Sequence, residues 1–317
     1  MPAPLLIADV PWLLYRSFFA LPKSIVGADG QPVNALLGTV NALLSMIEWR
    51  PLRAVAACFG AEQASYRVKL YPGYHAQRDP MPPELAAQWG RAPALLESLG
   101  WTVCDAGDLE ADDAMFSLAR AEVEPGGRGD GRARDEDGQA LLLTGDRDLF
   151  QAVSERVAVV TPGKGGGDPV EIGQAQVRER YGIDPALVPD FIALRGDPSD
   201  GLPGAPGIGA KTAAELLLRH GSLEEVLAAA GADAAGAEPA YAEAAAPDSH
   251  MRPRIAASLR ENTELLRAFK QIATLVRIDV QRPPDRVTDY AGGALAAREL
   301  GMRRLAARLD GMAQTSS

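Results

Sequence analysis

The acidic residues of this chain fall into four short groups whose spacing could support metal-ion chemistry. They are Asp9 at the end of an apolar run; Glu110, Asp112 and Asp113 in LEADDAMF; Asp146 and Asp148 in TGDRDLF; and Asp197 and Asp200 in GDPSDGLPG. Each group has a plainer reading when taken singly. Glu110, Asp112 and Asp113 open a helical pattern, where the helix dipole favours negative side chains. Asp146 and Asp148 alternate past an apolar strand, so an extended segment points both to one side, yet such a pair can be only a solvated turn. Asp197 and Asp200 stand among Gly and Pro, where aspartate stabilises turns. Taken jointly, these carboxylates at element ends beside one sheet repel one another unless protonation or cations relieve them. Mg2+ does this well, because it binds through few carboxylates, keeps water and is completed by substrate phosphate. Two such ions can activate a water and stabilise the leaving oxygen in phosphodiester hydrolysis.

A second pattern is LPGAPGIGAKTAAELL, residues 202–217. Its glycines, Gly204, Gly207 and Gly209, are spaced GxxGxG after a turn, which excludes a dinucleotide-binding fingerprint, and TPGKGGGD around Lys164 lacks the frame of a nucleotide phosphate loop. Gly207 and Gly209 precede Lys211 and a good helix, so backbone amides and the helix start can face a phosphate unobstructed. A hairpin of this kind holds a nucleic-acid backbone without reading bases; a plain glycine-rich link between helices is the alternative. Third, Arg67, Lys69, Tyr71, Tyr74, His75 and Arg78 make a basic and aromatic patch suited to stacking single strands. A packed tyrosine-rich loop, with His75 merely exposed in it, would look the same.

Positioning these residues calls for a parallel sheet. Leu5 to Ala8, Ala54 to Phe59, Ala140 to Leu143 and Arg156 to Val160 are short apolar runs bounded by turn residues, as in buried parallel strands. Amphipathic helical patterns at Val33 to Trp49, Pro83 to Leu99 and Ala111 to Ala121 alternate with them. The class is therefore α/β, a mainly parallel central sheet flanked by helices, and Asp9 and Asp146 fall beyond strand carboxyl ends, where such sheets gather ligands. The expected organisation is an α/β core over 1–184 with a solvated charged insertion near 122–139. A helical region at 185–274 carries the hairpin and a low-complexity stretch near 228–246, and 275–317 supply a returning strand, Leu275 to Val280, and a terminal helix, Gly292 to Leu309.

The 317 residues carry 32 Lys+Arg against 42 Asp+Glu, a formal charge of -10, which argues against a general basic phosphate-binding surface but not against local patches. Two cysteines, Cys58 and Cys104, each inside an apolar run, make neither a disulfide framework nor a four-ligand zinc site, and read as reduced core residues. Three scattered histidines exclude an imidazole-rich site. With no basic leader before an apolar stretch and no long apolar span, a cytoplasmic protein without membrane contact is expected.

Together LLIADVPWLLYRSFFALP, YPGYHAQRDPMPPEL, LEADDAMFSLA, LTGDRDLFQAV and DFIALRGDPSDGLPGAPGIGAKTAAELL, in this order, resemble the 5′ nuclease family of flap endonucleases, phage 5′ exonucleases and the amino-terminal domain of bacterial DNA polymerase I. The resemblance spans about Leu5 to Val280. It implies a monomeric 5′-3′ exonuclease or flap endonuclease acting on DNA with a 5′ flap, overhang or end, in repair or replication, with two divalent ions, Mg2+ or Mn2+. Asp9, Glu110, Asp112 and Asp113 would hold or position one ion; Asp146, Asp148, Asp197 and Asp200 would hold the other. Arg16, Arg67 and His75 would stand near the scissile phosphate. Tyr74, Arg78, Gly204, Gly207, Ile208, Gly209 and Lys211 would contact DNA, with K+ at the hairpin carbonyls. Two departures stand out. Gly60 occupies the place of an aspartate at the end of the second strand, with Glu62 two residues on as a water-mediated substitute, and His75 replaces a lysine. Both weaken the first metal site and its phosphate clamp, and Gly60→Asp should restore metal affinity. A branched-DNA binding protein without catalysis is one rival. A DxD glycosyltransferase using Asp146 and Asp148 is another, but it leaves Asp197 and Gly207 unexplained.

Overall fold

A computed structural model describes residues 3–124, 138–163, 167–231 and 251–315. The charged stretch at 125–137, Lys164 and most of the Ala-rich stretch lie outside the described residues. Six strands form one sheet in the order β3-β2-β1-β4-β5-β6: β1 Leu5–Asp9, β2 Ala54–Phe59, β3 Thr102–Asp105, β4 Ala140–Leu143, β5 Val157–Thr161 and β6 Val170–Ile172. All pairings are parallel except β5 with β6. The apolar runs form the four central strands because both faces are covered. Leu5 and Ile7 face one core, and Leu6 and Ala8 face the other.

On the Leu6 side pack α1 Val10–Ala20, α2 Asn34–Trp49, α4 Pro83–Ser98, α12 Tyr290–Glu299 and α13 Arg303–Thr315. On the Leu5 side pack α5 Ala111–Val123 and a helical region of α6 Gln174–Tyr181, α7 Val188–Arg195, α8 Ala210–His220, α9 Leu223–Ala229, α10 Pro253–Glu261 and α11 Thr263–Ala273. The short α3, Ser65–Leu70, follows β2. Chain order reverses between β1 and β4, so their carboxyl ends frame the switch-point crevice at which open α/β sheets bind ligands. Asp9 ends one of these strands, and Thr144 to Asp148 follow the other.

Two sequence expectations fail. Leu275 to Val280 has no regular secondary structure and joins no sheet, three of its amides bonding side chains instead. Leu275 N donates to Gln151 Oε1 at 3.0 Å, Val276 N to Asp113 Oδ1 at 2.7 Å and Ile278 N to Ser117 Oγ at 2.9 Å. The terminal helix is two helices, broken at Gly301, whose φ of 79° lets the chain turn where a Cβ would meet Ala28 N at 2.3 Å. Cys58 and Cys104 are free and lie in register on β2 and β3, Cys58 buried. No helix among the described residues is long and apolar enough to cross a membrane.

Candidate active site

The switch-point crevice gathers Asp9, Asp112, Asp146 and Asp148. Asp9 leaves β1 as the N-cap of α1: its Oδ1 accepts from Trp12 N at 2.9 Å and its Oδ2 from Thr144 Oγ1 at 2.7 Å. Thr144 oxygen also accepts from Asp146 N at 3.0 Å, so one hydroxyl ties the ends of both strands. Sequence reasoning passed over Thr144, although a Thr directly after an apolar run and before GD is a signal for such a tie. Asp148 N donates to Asp146 Oδ1 at 2.9 Å, closing a turn that starts the 3-10 segment Asp148–Ala152. Asp112 sits in the first turn of α5, where the dipole favours it.

None of these four carboxylates has an ion-pair partner among the described residues, and burial makes each harder to ionise. Burial pushes Asp9 up to about 6, against its two hydrogen bonds, with Asp146 adding repulsion. Burial also raises Asp112 well above the carboxylate range, followed by the charges of Asp146, Asp9, Glu110 and Asp148. Asp148 is raised well above it by burial and then by Asp146, Asp200 and Asp197. Asp146 rises by burial, opposed by the Asp148 amide and reinforced by Asp200 and Asp197. Among the described residues no three His, Cys, Asp or Glu side chains are grouped so that they could hold a metal ion together. The donors nonetheless suit a hard divalent cation by their chemistry: they are all oxygen, mutually repelling and without a basic partner, and Mg2+ sites use few carboxylates with water and phosphate completing the shell.

The other acids are differently employed. Asp113 is fully buried, and both its oxygens are taken. Oδ1 accepts from Arg67 Nη2 at 2.9 Å and from Val276 N, and Oδ2 accepts from Glu110 N at 3.2 Å. Glu110 accepts from Ala64 N at 2.7 Å, Tyr74 Oη at 2.9 Å and Arg67 Nη1 at 2.9 Å. Asp197 pairs with Arg195 at 3.1 Å and accepts from Ser199 N at 2.9 Å. Asp200 pairs with His75 Nε2 at 3.0 Å and Arg78 at 3.3 Å. The eight carboxylates thus divide into four without an ion pair among the described residues and four paired with Arg67, Arg195, His75 or Arg78.

Several residues expected at the phosphate are structural. Arg67 is 3% exposed, and its third bond runs from Nε to the Ile272 carbonyl at 3.0 Å, so its guanidinium ties α3, α5 and α11 together. Burial alone would lower its pKa, but Glu110 and Asp113 carry it above its ordinary value. Tyr74 is buried and stacks on His75, with ring centroids 3.8 Å apart, so neither ring is available to a base. Burial first, then the Glu110 charge, pushes its phenol up. His75, the sole non-glycine residue with positive φ (54°) among the described residues, is buried against Asp200, whose carbonyl also accepts its amide at 3.0 Å. Its Nδ1 has no partner. A basic and aromatic patch and a packed loop share one composition, and the loop won.

The Gly60 position also has a physical cause. A Cβ there would lie 2.4 Å from Leu109 O and 2.7 Å from Ala111 N, because the chain leaving β2 runs against the start of α5, and Ala61 N donates to Leu109 O at 2.8 Å. An aspartate does not fit without shifting that backbone. Glu62, two residues on, is exposed and accepts from Tyr15 Oη at 2.5 Å.

Arg16, by contrast, is exposed on α1, its Cζ 5.7 Å from the Trp12 ring, and has no ion pair among the described residues. In the hairpin between α7 and α8, Gly204 (φ 67°) has no room for a Cβ, which would meet Gly196 N at 2.3 Å, and Ile208 is buried. Gly207 and Gly209 face open space, and the Lys211 side chain is 91% exposed, reaching Glu215 only at 3.9 Å. Gly201 (φ 75°) lies so close to Gly73 that a Cβ would meet its carbonyl at 2.5 Å, locking the Asp197 to Asp200 loop to the turn bearing His75.

The chain is similar to known proteins in sequence and in fold. Residues 4–182 match the model of the 5′-3′ exonuclease N-terminal resolvase-like domain, and 183–289 that of the 5′-3′ exonuclease C-terminal SAM fold. A 5′-3′ exonuclease of Mycobacterium tuberculosis is 37% identical over 250 residues, 73% of this chain and 74% of that one. DNA polymerase I of Mycobacterium bovis is 37% identical over 224 residues, 70% of this chain but only 24% of the polymerase. The fold is shared with the T5 5′-exonuclease solved with bound zinc (TM-score 0.59, 16% identity, 96% of each chain). It is shared too with the catalytic core of Rad2 in complex with a DNA substrate (TM-score 0.57, 13% identity, 94% of this chain and 88% of that one). By family model and by sequence relatives alike, this chain belongs to the 5′-3′ exonuclease family.

Proposed function

We propose that this protein is a divalent-cation-dependent nuclease that hydrolyses DNA from a 5′ flap, overhang or end, in repair or replication. The observation that carries this reading is the set Asp9, Asp112, Asp146 and Asp148 at the β1/β4 switch point, with no ion-pair partner among the described residues. Mg2+ or Mn2+ held there would supply a more acidic water and offset charge on the leaving oxygen. The chain's own residues do the rest. Thr144 fixes Asp9 and the Asp146 turn; Glu110, Asp113 and Arg67 fix the start of α5 and so Asp112. His75, Arg78 and Gly201 fix the loop carrying Asp200. Arg16 is free to meet a phosphate, and the open main chain at Gly207 and Gly209, with Lys211, can grip duplex backbone or a monovalent cation without reading sequence.

The test is cleavage by purified protein of labelled duplexes with a 5′ arm or a 3′ arm, in Mg2+, Mn2+ or EDTA. The reading expects metal-dependent products from the 5′ arm only. Binding with no product in either metal would instead leave a branched-DNA binding protein.

A further inference from the structure

Beside the acidic cluster, a row of three rings with arginines at its ends crosses three elements. Arg147, between Asp146 and Asp148, accepts the Phe150 amide on its carbonyl at 3.0 Å. Arg180 of α6 lies with its Cζ 5.7 Å from the Phe150 ring centre. Phe150 meets Tyr181 at 5.9 Å, Tyr181 meets Phe191 of α7 at 5.1 Å, and Arg195 lies 5.2 Å from Phe191. The row therefore runs from the turn that bears two of the clustered carboxylates to the residue that begins the hairpin.

The charges on this row are not matched. Arg195 has Asp197, but Arg147 and Arg180 are exposed and neither has an ion-pair partner among the described residues. In a chain with a net charge of -10, two unpaired guanidiniums beside an acid-rich crevice leave room for an anion from outside. All three arginines are felt at the half-buried Tyr181 hydroxyl, where burial raises the phenol and the charges of Arg147, Arg195 and Arg180 oppose it. A guanidinium is the side chain suited to phosphate, presenting planar paired donors, and for Arg180 the Phe150 ring beneath it restricts its motion and adds cation–π attraction.

We propose that Arg147, in the turn between Asp146 and Asp148, and Arg180, lying over Phe150, form a phosphate subsite that takes the DNA backbone between the hairpin and the acidic cluster. This rests on the nuclease reading above and adds to it a specific path for the strand. It requires no base contact, so it serves any sequence.

The test is the salt dependence of affinity, which counts phosphate contacts. Binding of a fluorescein-labelled duplex with a 5′ arm is followed by anisotropy in EDTA from about 50 to 200 mM KCl. Each of Arg147→Gln and Arg180→Gln should reduce the slope of log K against log salt by about 0.7 to 0.9, which over that range is about threefold less loss of affinity than in the parent. Arg147→Lys and Arg180→Lys keep the charge and should keep the slope. Arg178→Gln is the control: Arg178 is on the same helix but is paired with Asp184. Should a Gln variant not fold, Arg→Met, which preserves packing over the ring, carries the same measurement. Parent binding with parental slopes in both neutral variants overturns the subsite alone; a parent that binds no duplex overturns the nuclease reading with it.

Discussion

Replacing Asp9 by Asn in the metal-free protein should make it more stable at neutral pH while abolishing cleavage. Asp9 is 5% exposed, and its carboxyl is pushed from 3.8 up to about 6, chiefly by burial. Because the folded state holds this proton more tightly than the unfolded state, stability is fully present below the unfolded pKa and falls as pH rises through the folded one. The loss is complete above about pH 6 and, for a shift of about two units, reaches at most about 3 kcal/mol. Asn keeps the geometry: its Oδ1 can still cap Trp12 N, and its amide can donate to Thr144 Oγ1. The variant should therefore melt about 5 °C above the parent at pH 7.5 in EDTA, with the gap closing towards pH 4. Saturating Mn2+ should reverse the order, since a ligand that binds only the folded parent stabilises it by mass action. Thermal melts followed by circular dichroism at several pH values decide this. An Asp9→Asn protein no more stable than the parent at pH 7.5 without metal would refute the claim that the crevice holds uncompensated charge.

Three further outcomes follow from particular contacts. Arg67→Met leaves Glu110 and Asp113 buried without their cation and should cost about 3 to 5 kcal/mol in urea unfolding; a cost below about 1 would deny Arg67 its place as the tie between α3, α5 and α11. Gly60→Asp should destabilise by about 1 to 3 kcal/mol, as overpacking does, with no gain in Mn2+ affinity by calorimetry; tighter metal binding in a stable variant would contradict the close approach at Leu109. Thr144→Val removes a hydrogen bond that lowers the Asp9 pKa, so the acid limb of the pH–rate profile should move to higher pH. An unmoved limb would separate Thr144 from the chemistry.

Much of this arrangement was legible in the residues. Strands buried on both faces read as apolar runs, which is why β1, β2, β4 and β5 stood out. β3 (TVCD) and β6 (VEI), short and only partly covered at the sheet edges, did not. The run from Leu275 to Val280 has strand composition, yet its amides are bonded by the side chains of Gln151, Asp113 and Ser117, and composition does not reveal which partner a backbone takes. The acids of the site were legible by type and grouping. Their division was not. Asp112 and Asp113 are adjacent in sequence but about 100° apart around α5, so one meets the crevice and the other meets Arg67. For the same reason Arg67, Tyr74 and His75 read as a binding patch, since only tertiary packing shows that Arg67, the Tyr74 hydroxyl and His75 Nε2 are paired with Glu110, Asp113 and Asp200.

The central claim, that the carboxylates at the β1/β4 switch point form the cation site for strand cleavage, is tested most directly by single-turnover cleavage of a 5′-armed duplex in Mn2+. Parent and Asp148→Ala are compared, with Mn2+ binding to each measured by calorimetry. The account predicts rapid cleavage by the parent, and product at background level with weakened Mn2+ binding but retained DNA binding in the variant. Parental cleavage and Mn2+ affinity in Asp148→Ala would contradict it.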